Sequence, residues 1–205
     1  AGSDVGAGIT SAESLGDGVY KIKGTKCWIS SGDNDLGENV IHAVLARVKG
    51  APDGTKGLSL FVVPYFRVND DGSLGDRNDV TVASIENKMG IHSSPTAVLS
   101  FGENDDCMGW ILGSEGQGIS AMFQMMNTAR IFTGLIGLSL SGAAYENAKT
   151  YAHERIQGTN ISKTRDLNAQ RVSIIEHPAV RLNLINMKSR VEAMRALLYY
   201  TALQF

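Results

Sequence analysis

Short runs of alternating apolar and polar residues fill the chain as far as residue 114, and this pattern predicts β-strands. Asp17 and Gly18 separate two such runs and predict a hairpin, because glycine tolerates the positive φ of a tight turn. Further strands are predicted at 40–48, 58–63, 80–86 and 96–101, and a polar loop at 69–79. Many short strands with frequent turns predict a small antiparallel β-sandwich or barrel over residues 1–114.

From Gly116 onward the apolar residues recur at threes and fours, which predicts helices. The first predicted helix has about 40 residues and a length of roughly 60 Å. Three glycines lie within it: Gly134, Gly137 and Gly142. Because glycine weakens a helix, we expect a neighbouring helix or a ligand to approach closely there.

A polar linker, 158–170, precedes a second predicted helix that begins near Pro178, where a first-turn proline is tolerated. Its apolar residues alternate at fours and threes, which is typical of an antiparallel bundle or a coiled coil. Residues 115–205 therefore read as the first long helices of a truncated antiparallel bundle, and the fold class is α+β. The chain opens without methionine and is still helical in pattern at Phe205, so we expect a piece of a longer protein.

Composition excludes several classes of function. The 205 residues are 43% hydrophobic and carry a formal net charge of −2, which gives no general attraction to nucleic acid or anionic lipid. Two cysteines and four scattered histidines predict neither a disulfide framework nor a metal site. No apolar run approaches the ~18 residues of a membrane span, and no signal peptide is visible. These features predict a soluble, cytoplasmic protein.

Local charge is less even than the total. Residues 155–195 hold eight Lys or Arg against three Asp or Glu, which fits either a phosphate-bearing ligand or a solvated helix face. Arg130 stands among apolar residues of the first predicted helix. A charge on an apolar face needs a partner, so Arg130 is either paired within the protein or held for a ligand.

The stretch "TKCWISSGDN" (25–34) places Trp28 two residues before Ser30 on a predicted strand. One interpretation is that Trp28 belongs to the core. The other is that its indole and the Ser30 hydroxyl present a flat face and a hydrogen-bond donor to a flat ligand.

Six segments resemble, in the same order, segments of the acyl-CoA dehydrogenases, most closely the large bacterial branch that includes 3-methylmercaptopropionyl-CoA dehydrogenase-like enzymes. They are "AGSDVGAGIT", "KGTKCWISSG", "NKMGIHSSPTAVLSF", "WILGSEGQGISAMF", "AKTYAHERIQG" and "IIEHPAVRLNLINMKSRVEAMRALLYY". The resemblance implies a three-part fold, with an N-terminal helical domain, a β-domain and a C-terminal four-helix bundle. This chain would hold the β-domain (1–114) and the first bundle helices (115–205).

The resemblance also implies sites for the cofactor FAD. Trp28 would lie against the flavin ring, Ser30 would bond toward flavin N5, and Ile29 between them would contact the cofactor as well. Ser3 would lie near the flavin pyrophosphate and the CoA end of the substrate, so it counts as both a cofactor and a substrate residue.

Further residues are assigned by the same resemblance. Arg155 and Gln157 match positions that reach the FAD of a partner subunit, and His177 lies in a segment that lines FAD. Asn127 and Arg130 match positions on the substrate side of the long helix.

The reaction implied is the α,β-dehydrogenation of an acyl-CoA to a trans-2-enoyl-CoA, an oxidoreductase step of fatty acid metabolism. Ala129 occupies the long-helix position where some members carry the glutamate base. We therefore expect the base to lie beyond Phe205, so that no residue here is catalytic. The isolated chain should be inactive and bind FAD weakly or not at all. Expected partners are an electron-transfer flavoprotein or similar acceptor and further copies of the protein, in a homodimer or dimer of dimers.

Three alternatives stay open. An acyl-CoA oxidase would perform the same chemistry with O2 as acceptor. A dehydrogenase-like DNA-binding protein would use the basic stretch 155–195, although the net charge of −2 speaks against it. A purely structural module would keep Trp28 as packed core.

Overall fold

A computed structural model describes residues 2–204. The polypeptide forms two compact units, and the division falls between Met125 and Met126, inside the long helix. The division of function at residue 114 stays a prediction.

Short strands build the first unit, as the alternating pattern predicts. In the described part of this unit they are β1 (Ser11–Gly16), β2 (Val19–Ser30), β3 (Ile41–Val48), β4 (Leu58–Pro64), β5 (Phe66–Val68), β6 (Leu74–Arg77), β7 (Val80–Ile85), β8 (Thr96–Phe101) and β9 (Met108–Leu112).

Five of these strands close into a barrel. The main sheet has the order β1-β3-β4-β9-β2-β8-β7, and β1 also pairs with β2, so the ring β1-β3-β4-β9-β2 returns to its start. Strands β8 and β7 extend the sheet from β2. All pairings in this sheet are antiparallel except β1 with β3, which is parallel. Closure leaves the five barrel strands without a free edge, and the predicted antiparallel barrel is confirmed with this one parallel pair.

The core of the first unit follows the alternation of the strands. Ile22, Phe61, Val63 and Leu99 are fully buried within one cluster of apolar side chains. On β2 the alternation is visible, with Tyr20 and Ile22 buried and Lys23 exposed, because successive side chains of a strand point to opposite faces. Strand β4 is buried almost throughout, including Ser59.

The prediction of a loop over 69–79 is wrong in part. Strand β6 falls within it and pairs with β5 to form a small hairpin. Asn69 donates its side-chain amide to Ser73 Oγ at 3.0 Å, and Gly72 adopts the positive φ of +84° that the turn requires. Side-chain bonds across the turn thus order a stretch that is polar apart from Leu74 and its glycines.

Two helices dominate the second unit. Helix α1 (Gly118–Glu154) has 37 residues and begins in the first unit, and α2 (Pro178–Leu203) has 26. Between them β10 (Ile156–Thr159) pairs with β11 (Arg171–Ser173), so short strands bracket the predicted linker. None of the described helices combines the length and apolar character needed to cross a membrane.

The glycines of α1 differ in their surroundings. A Cβ on Gly134 would lie 3.3 Å from Leu198 Cδ1 of α2, so the expected close approach of a helix is found there. Within residues 2–204, a Cβ on Gly137 or Gly142 would meet nothing within 4 Å.

Candidate functional site

Trp28 lies on the surface of the first unit, with 61% of its area exposed. The interpretation of this tryptophan as core is therefore wrong for the described chain. Its backbone has φ of +60°, a left-handed conformation that costs a non-glycine residue about 1–3 kcal/mol. Such a cost persists only where the surrounding structure enforces it.

A β-bulge explains the outward direction of Trp28. On β2, Lys26 pairs with Leu99 and Ile29 with Ala97, so two residues of β2 oppose the single Val98 of β8. The extra residue changes which face is buried. Tyr20 and Ile22 are buried before the bulge, whereas Ile29 packs against the core after it. Trp28 would share the inward phase of Ile22 in a regular strand, and the bulge turns it outward.

Contacts on both sides of the bulge fix the strand. Lys26 Nζ donates to the Leu45 carbonyl oxygen at 2.6 Å, across the inside of the unit. Burial lowers the pKa of Lys26 below its ordinary value. The amine thus anchors β2 immediately before the bulge.

The end of β2 is also closely packed. Ser30 is exposed and pairs with Thr96. Ser31, at φ of +51°, donates its amide to the Pro95 carbonyl oxygen at 2.9 Å. Gly32 is buried, and a Cβ there would lie 3.2 Å from the side chains of Ala97 and Leu99. Trp28 and Ser30 therefore stand outward on a segment whose backbone is held by β8.

Tyr65, Arg77 and Asp33 form a cluster that sequence reasoning missed. The Tyr65 hydroxyl donates to Asp33 Oδ2 at 3.3 Å and accepts a bond from Arg77 Nη2 at 2.7 Å. The guanidinium carbon of Arg77 also lies 4.3 Å from the centre of the Tyr65 ring. Burial, and then the Asp33 charge, raise the pKa of Tyr65 above its ordinary value, so the hydroxyl keeps its proton.

Ser3 lies exposed in a 3-10 turn, Gly2–Ala7. The last residues of this turn, Gly6 and Ala7, line a groove of about 740 Å³. Arg47 lines this groove and donates to the carbonyl oxygens of Gly6, at 2.7 Å, and Pro52. The guanidinium therefore fixes the turn that carries Ser3.

In the second unit the structure brings together Arg155, Gln157 and His177. His177 Nε2 lies 2.8 Å from the Gln157 carbonyl oxygen, to which it donates, and Arg155 Nη2 donates to Gln157 Oε1 at 3.3 Å. Gly158 has φ of +73°, and a Cβ there would come within 3.3 Å of the imidazole. Thr159 and Pro178 also line a cavity of about 550 Å³ beside His177.

Asn127 and Arg130 are neighbours one turn apart on α1. Arg130 Nη1 donates to Asn127 Oδ1 at 3.4 Å, and both residues are exposed. The side-chain amide of Asn127 is thus one partner of the Arg130 charge.

Each unit offers groups that suit part of a flavin nucleotide. In the first unit Trp28 offers an exposed flat ring and Ser30 an exposed hydroxyl, which suit a flavin ring. In the second unit Arg155 offers an exposed cation, which suits a pyrophosphate. Each group lies on backbone that other contacts hold in place.

Comparison with known proteins identifies relatives across nearly the whole chain. Residues 1–103 match the family model "Acyl-CoA dehydrogenase, middle domain", and 116–205 match "Acyl-CoA dehydrogenase, C-terminal domain". A butyryl-CoA dehydrogenase of Syntrophomonas wolfei is 49% identical over 97% of this chain and 33% of its own length. The 3-methylmercaptopropionyl-CoA dehydrogenase of Ruegeria pomeroyi is 42% identical over 96% of the chain and 32% of its own length.

The fold has solved counterparts as well. The butyryl-CoA dehydrogenase structure from Megasphaera elsdenii matches with a TM-score of 0.72 and 25% identity, over 100% of this chain and 46% of that one. The chain spans about a third of the length of the curated relatives described above.

Proposed function

This chain belongs to the acyl-CoA dehydrogenase family, and we propose that it forms one wall of the flavin site in an FAD-dependent enzyme. The enzyme converts an acyl-CoA thioester to the trans-2-enoyl-CoA. The observation that carries the proposal is the pair Trp28 and Ser30, both exposed at the end of a strand that a bulge and β8 hold in place. Residues 1–114 serve as the flavin wall and 115–205 as the start of the helical bundle.

FAD, when bound, supplies the acceptor for the hydride that leaves the acyl chain. The indole of Trp28 covers one face of the flavin and excludes water from it. Ile29 fixes the strand beneath by packing against the core. The hydroxyl of Ser30 donates a hydrogen bond to the flavin edge, and the turn with Ser3 contacts the pyrophosphate and the CoA end of the substrate.

The cluster of Arg155, Gln157 and His177 serves the flavin of a second copy of the protein, in a homodimer or dimer of dimers. Arg155 balances the negative charge of the pyrophosphate. Its bond to Gln157 Oε1, and the contact of His177 with the Gln157 backbone, keep the three groups together. The cation therefore needs little reordering when the cofactor binds.

On the substrate side, Asn127 and Arg130 act as a polar pair on α1. Ala129 cannot remove the α-proton, so we place the carboxylate base outside the 205 residues and expect the chain alone to be inactive. An electron-transfer flavoprotein or similar acceptor removes the electrons, and the enzyme works in the cytoplasm.

The test uses the full-length protein loaded with FAD under anaerobic conditions. Butyryl-CoA, longer acyl-CoAs and 3-methylmercaptopropionyl-CoA are added in turn while the visible flavin spectrum is recorded. We expect at least one thioester to bleach the flavin and to yield the enoyl-CoA. A protein that takes up no FAD, or whose flavin no acyl-CoA bleaches, would contradict the proposal. Rapid return of the colour in air, with peroxide formed, would identify an oxidase instead.

A further inference from the structure

We propose that Tyr65 is a positioning residue, whose hydroxyl fixes the segment from Trp28 to Asp33 in the conformation that receives the flavin. The effect on flavin binding rests on the proposed function, whereas the contacts that hold the segment all lie within the first unit. Within residues 2–204 the Tyr65 hydroxyl bonds Asp33 and Arg77, and neither Trp28 nor Ser30. It acts through Asp33, three residues beyond Ser30.

Tyr65 is itself firmly anchored. Its side chain is 6% exposed. Its backbone amide donates to the Val40 carbonyl oxygen at 2.8 Å, and its carbonyl oxygen accepts from the Asn78 amide at 2.9 Å. The ring packs near Phe66, with centroids 6.0 Å apart. Because its backbone and ring are fixed in this way, Tyr65 can hold the more exposed carboxylate of Asp33 in place through its hydroxyl.

The direction of the hydroxyl proton follows from its two partners. Arg77 has only donors, so its bond to the Tyr65 oxygen leaves that oxygen as acceptor and the proton free for Asp33. The His42 and Tyr65 rings have centroids 6.2 Å apart, and within residues 2–204 the Nε2 of His42 has no hydrogen-bond partner. The imidazole therefore does not compete for the tyrosine proton.

The hydrogen bond from Tyr65 to Asp33 is important because the backbone of the segment before Asp33 is strained. Trp28 and Ser31 both have positive φ without being glycine, a strained conformation that persists only where the surrounding structure enforces it. Strand β8 holds the inner side of the segment, through Ala97 and Thr96. The bond from Tyr65 to Asp33 holds the outgoing end, where no strand pairing remains.

The experiment compares Tyr65→Phe with Tyr20→Phe in the full-length protein. Both tyrosines are 6% exposed and donate to a carboxylate, since Tyr20 bonds Glu115 Oε1 at 2.6 Å. Each substitution removes one hydroxyl and leaves the ring. Asp33→Asn is a second variant, on an exposed residue, and avoids any disturbance of the core.

Two readouts separate this inference from the proposed function. The first is amide hydrogen exchange of residues 28–33 without cofactor, which should speed up on the order of tenfold in Tyr65→Phe and not in Tyr20→Phe. Asp33→Asn keeps one acceptor oxygen but loses its charge, so it should show a smaller change of the same sign. The second is the Kd for FAD, which should rise about three- to tenfold in Tyr65→Phe with an altered visible flavin spectrum.

Exchange at 28–33 that stays at the wild-type rate in Tyr65→Phe would overturn the inference. Equal acceleration in both tyrosine variants would overturn it too, because a general loss of stability would then explain the effect. If the wild-type protein binds no FAD while the exchange difference is present, the positioning of the segment stands and the proposed function fails.

Discussion

The imidazole of His177 donates from Nε2 to the carbonyl oxygen of Gln157, 2.8 Å away and 20 residues earlier in the chain. Since the carbonyl can only accept, this contact also fixes which ring nitrogen carries the proton in the neutral imidazole. The bond joins the N-terminus of α2 to the strand that follows α1. Arg155 also bonds Gln157, so the three residues of the second unit that the family resemblance assigned to FAD form one cluster.

Replacement of Gly158 should disturb this cluster. In Gly158→Ala the new Cβ would lie 3.3 Å from His177 Cε1, and the φ of +73° would be strained. We expect a loss of roughly 1 kcal/mol in the free energy of unfolding from the backbone alone, and a weaker affinity for FAD. The control is Gly72→Ala, which has φ of +84° but open space around its Cβ. If both variants bind FAD like the wild type, the cluster does not serve the cofactor.

Asn78 should be a major determinant of stability in the first unit. This buried side chain donates to the carbonyl oxygens of Pro64 and Met108 at 2.9 and 2.8 Å, and accepts from the Met108 amide at 2.8 Å. Asn78→Ala leaves those backbone groups without partners, so we expect a loss of about 2–4 kcal/mol in urea unfolding. The exposed control Asn69→Ala removes one side-chain bond at the surface and should lose about 1 kcal/mol or less. If Asn78→Ala lost no more free energy of unfolding than Asn69→Ala, water would have replaced the missing amide.

His42 should make stability depend on pH. Burial lowers the pKa of His42 below its ordinary 6.5, with the charge of Asp33 opposing the shift in part. Below about pH 6.5 the unfolded chain then takes up a proton that the folded chain does not, so the free energy of unfolding falls as the pH drops. The slope from one such group cannot exceed about 1.4 kcal/mol per pH unit.

Urea unfolding at about pH 7.5 and about pH 5.5 measures this effect. The decrease in the free energy of unfolding from the higher to the lower pH should be smaller in His42→Gln than in the wild type. It should be unchanged in the control His92→Gln, since His92 is exposed. An unchanged pH dependence in His42→Gln would assign the effect to other groups.

The two cysteines should differ in reactivity. Cys27 is exposed beside Trp28, whereas Cys107 is buried and its pKa is raised by burial to about 12. In the native chain an alkylating reagent should modify Cys27 alone, and in denaturant both thiols. The extent of labelling can be read by mass spectrometry of the peptides. Labelling of Cys107 at the rate of Cys27 in the native protein would contradict this burial.

The periodicity of the sequence predicted most of the fold, because strand and helix patterns are local. The alternation located β3, β4, β7 and β8, and the spacing of threes and fours located α1 and α2. The small hairpin at 66–77 depends on side-chain bonds that no period reports.

The site was predictable only in part. Trp28 lies six residues after the buried Ile22, so a regular strand would place both side chains on the same, buried face. The bulge that turns Trp28 outward depends on pairing with β8, which the sequence does not report. Tyr65 lies 32 residues from Asp33 and 12 from Arg77, so only the folded barrel brings them together.

The most direct measurement concerns Trp28 in the full-length protein with FAD. Trp28→Ala is compared with Trp110→Ala, which removes the other tryptophan of this chain, 36% exposed on β9. The visible flavin spectrum and its bleaching by an acyl-CoA are recorded anaerobically for both variants. We expect Trp110→Ala to resemble the wild type, and Trp28→Ala to show a shifted spectrum, weaker FAD binding and less bleaching. Equal behaviour of the two variants would contradict the proposal that Trp28 and Ser30, at the end of β2, face the flavin.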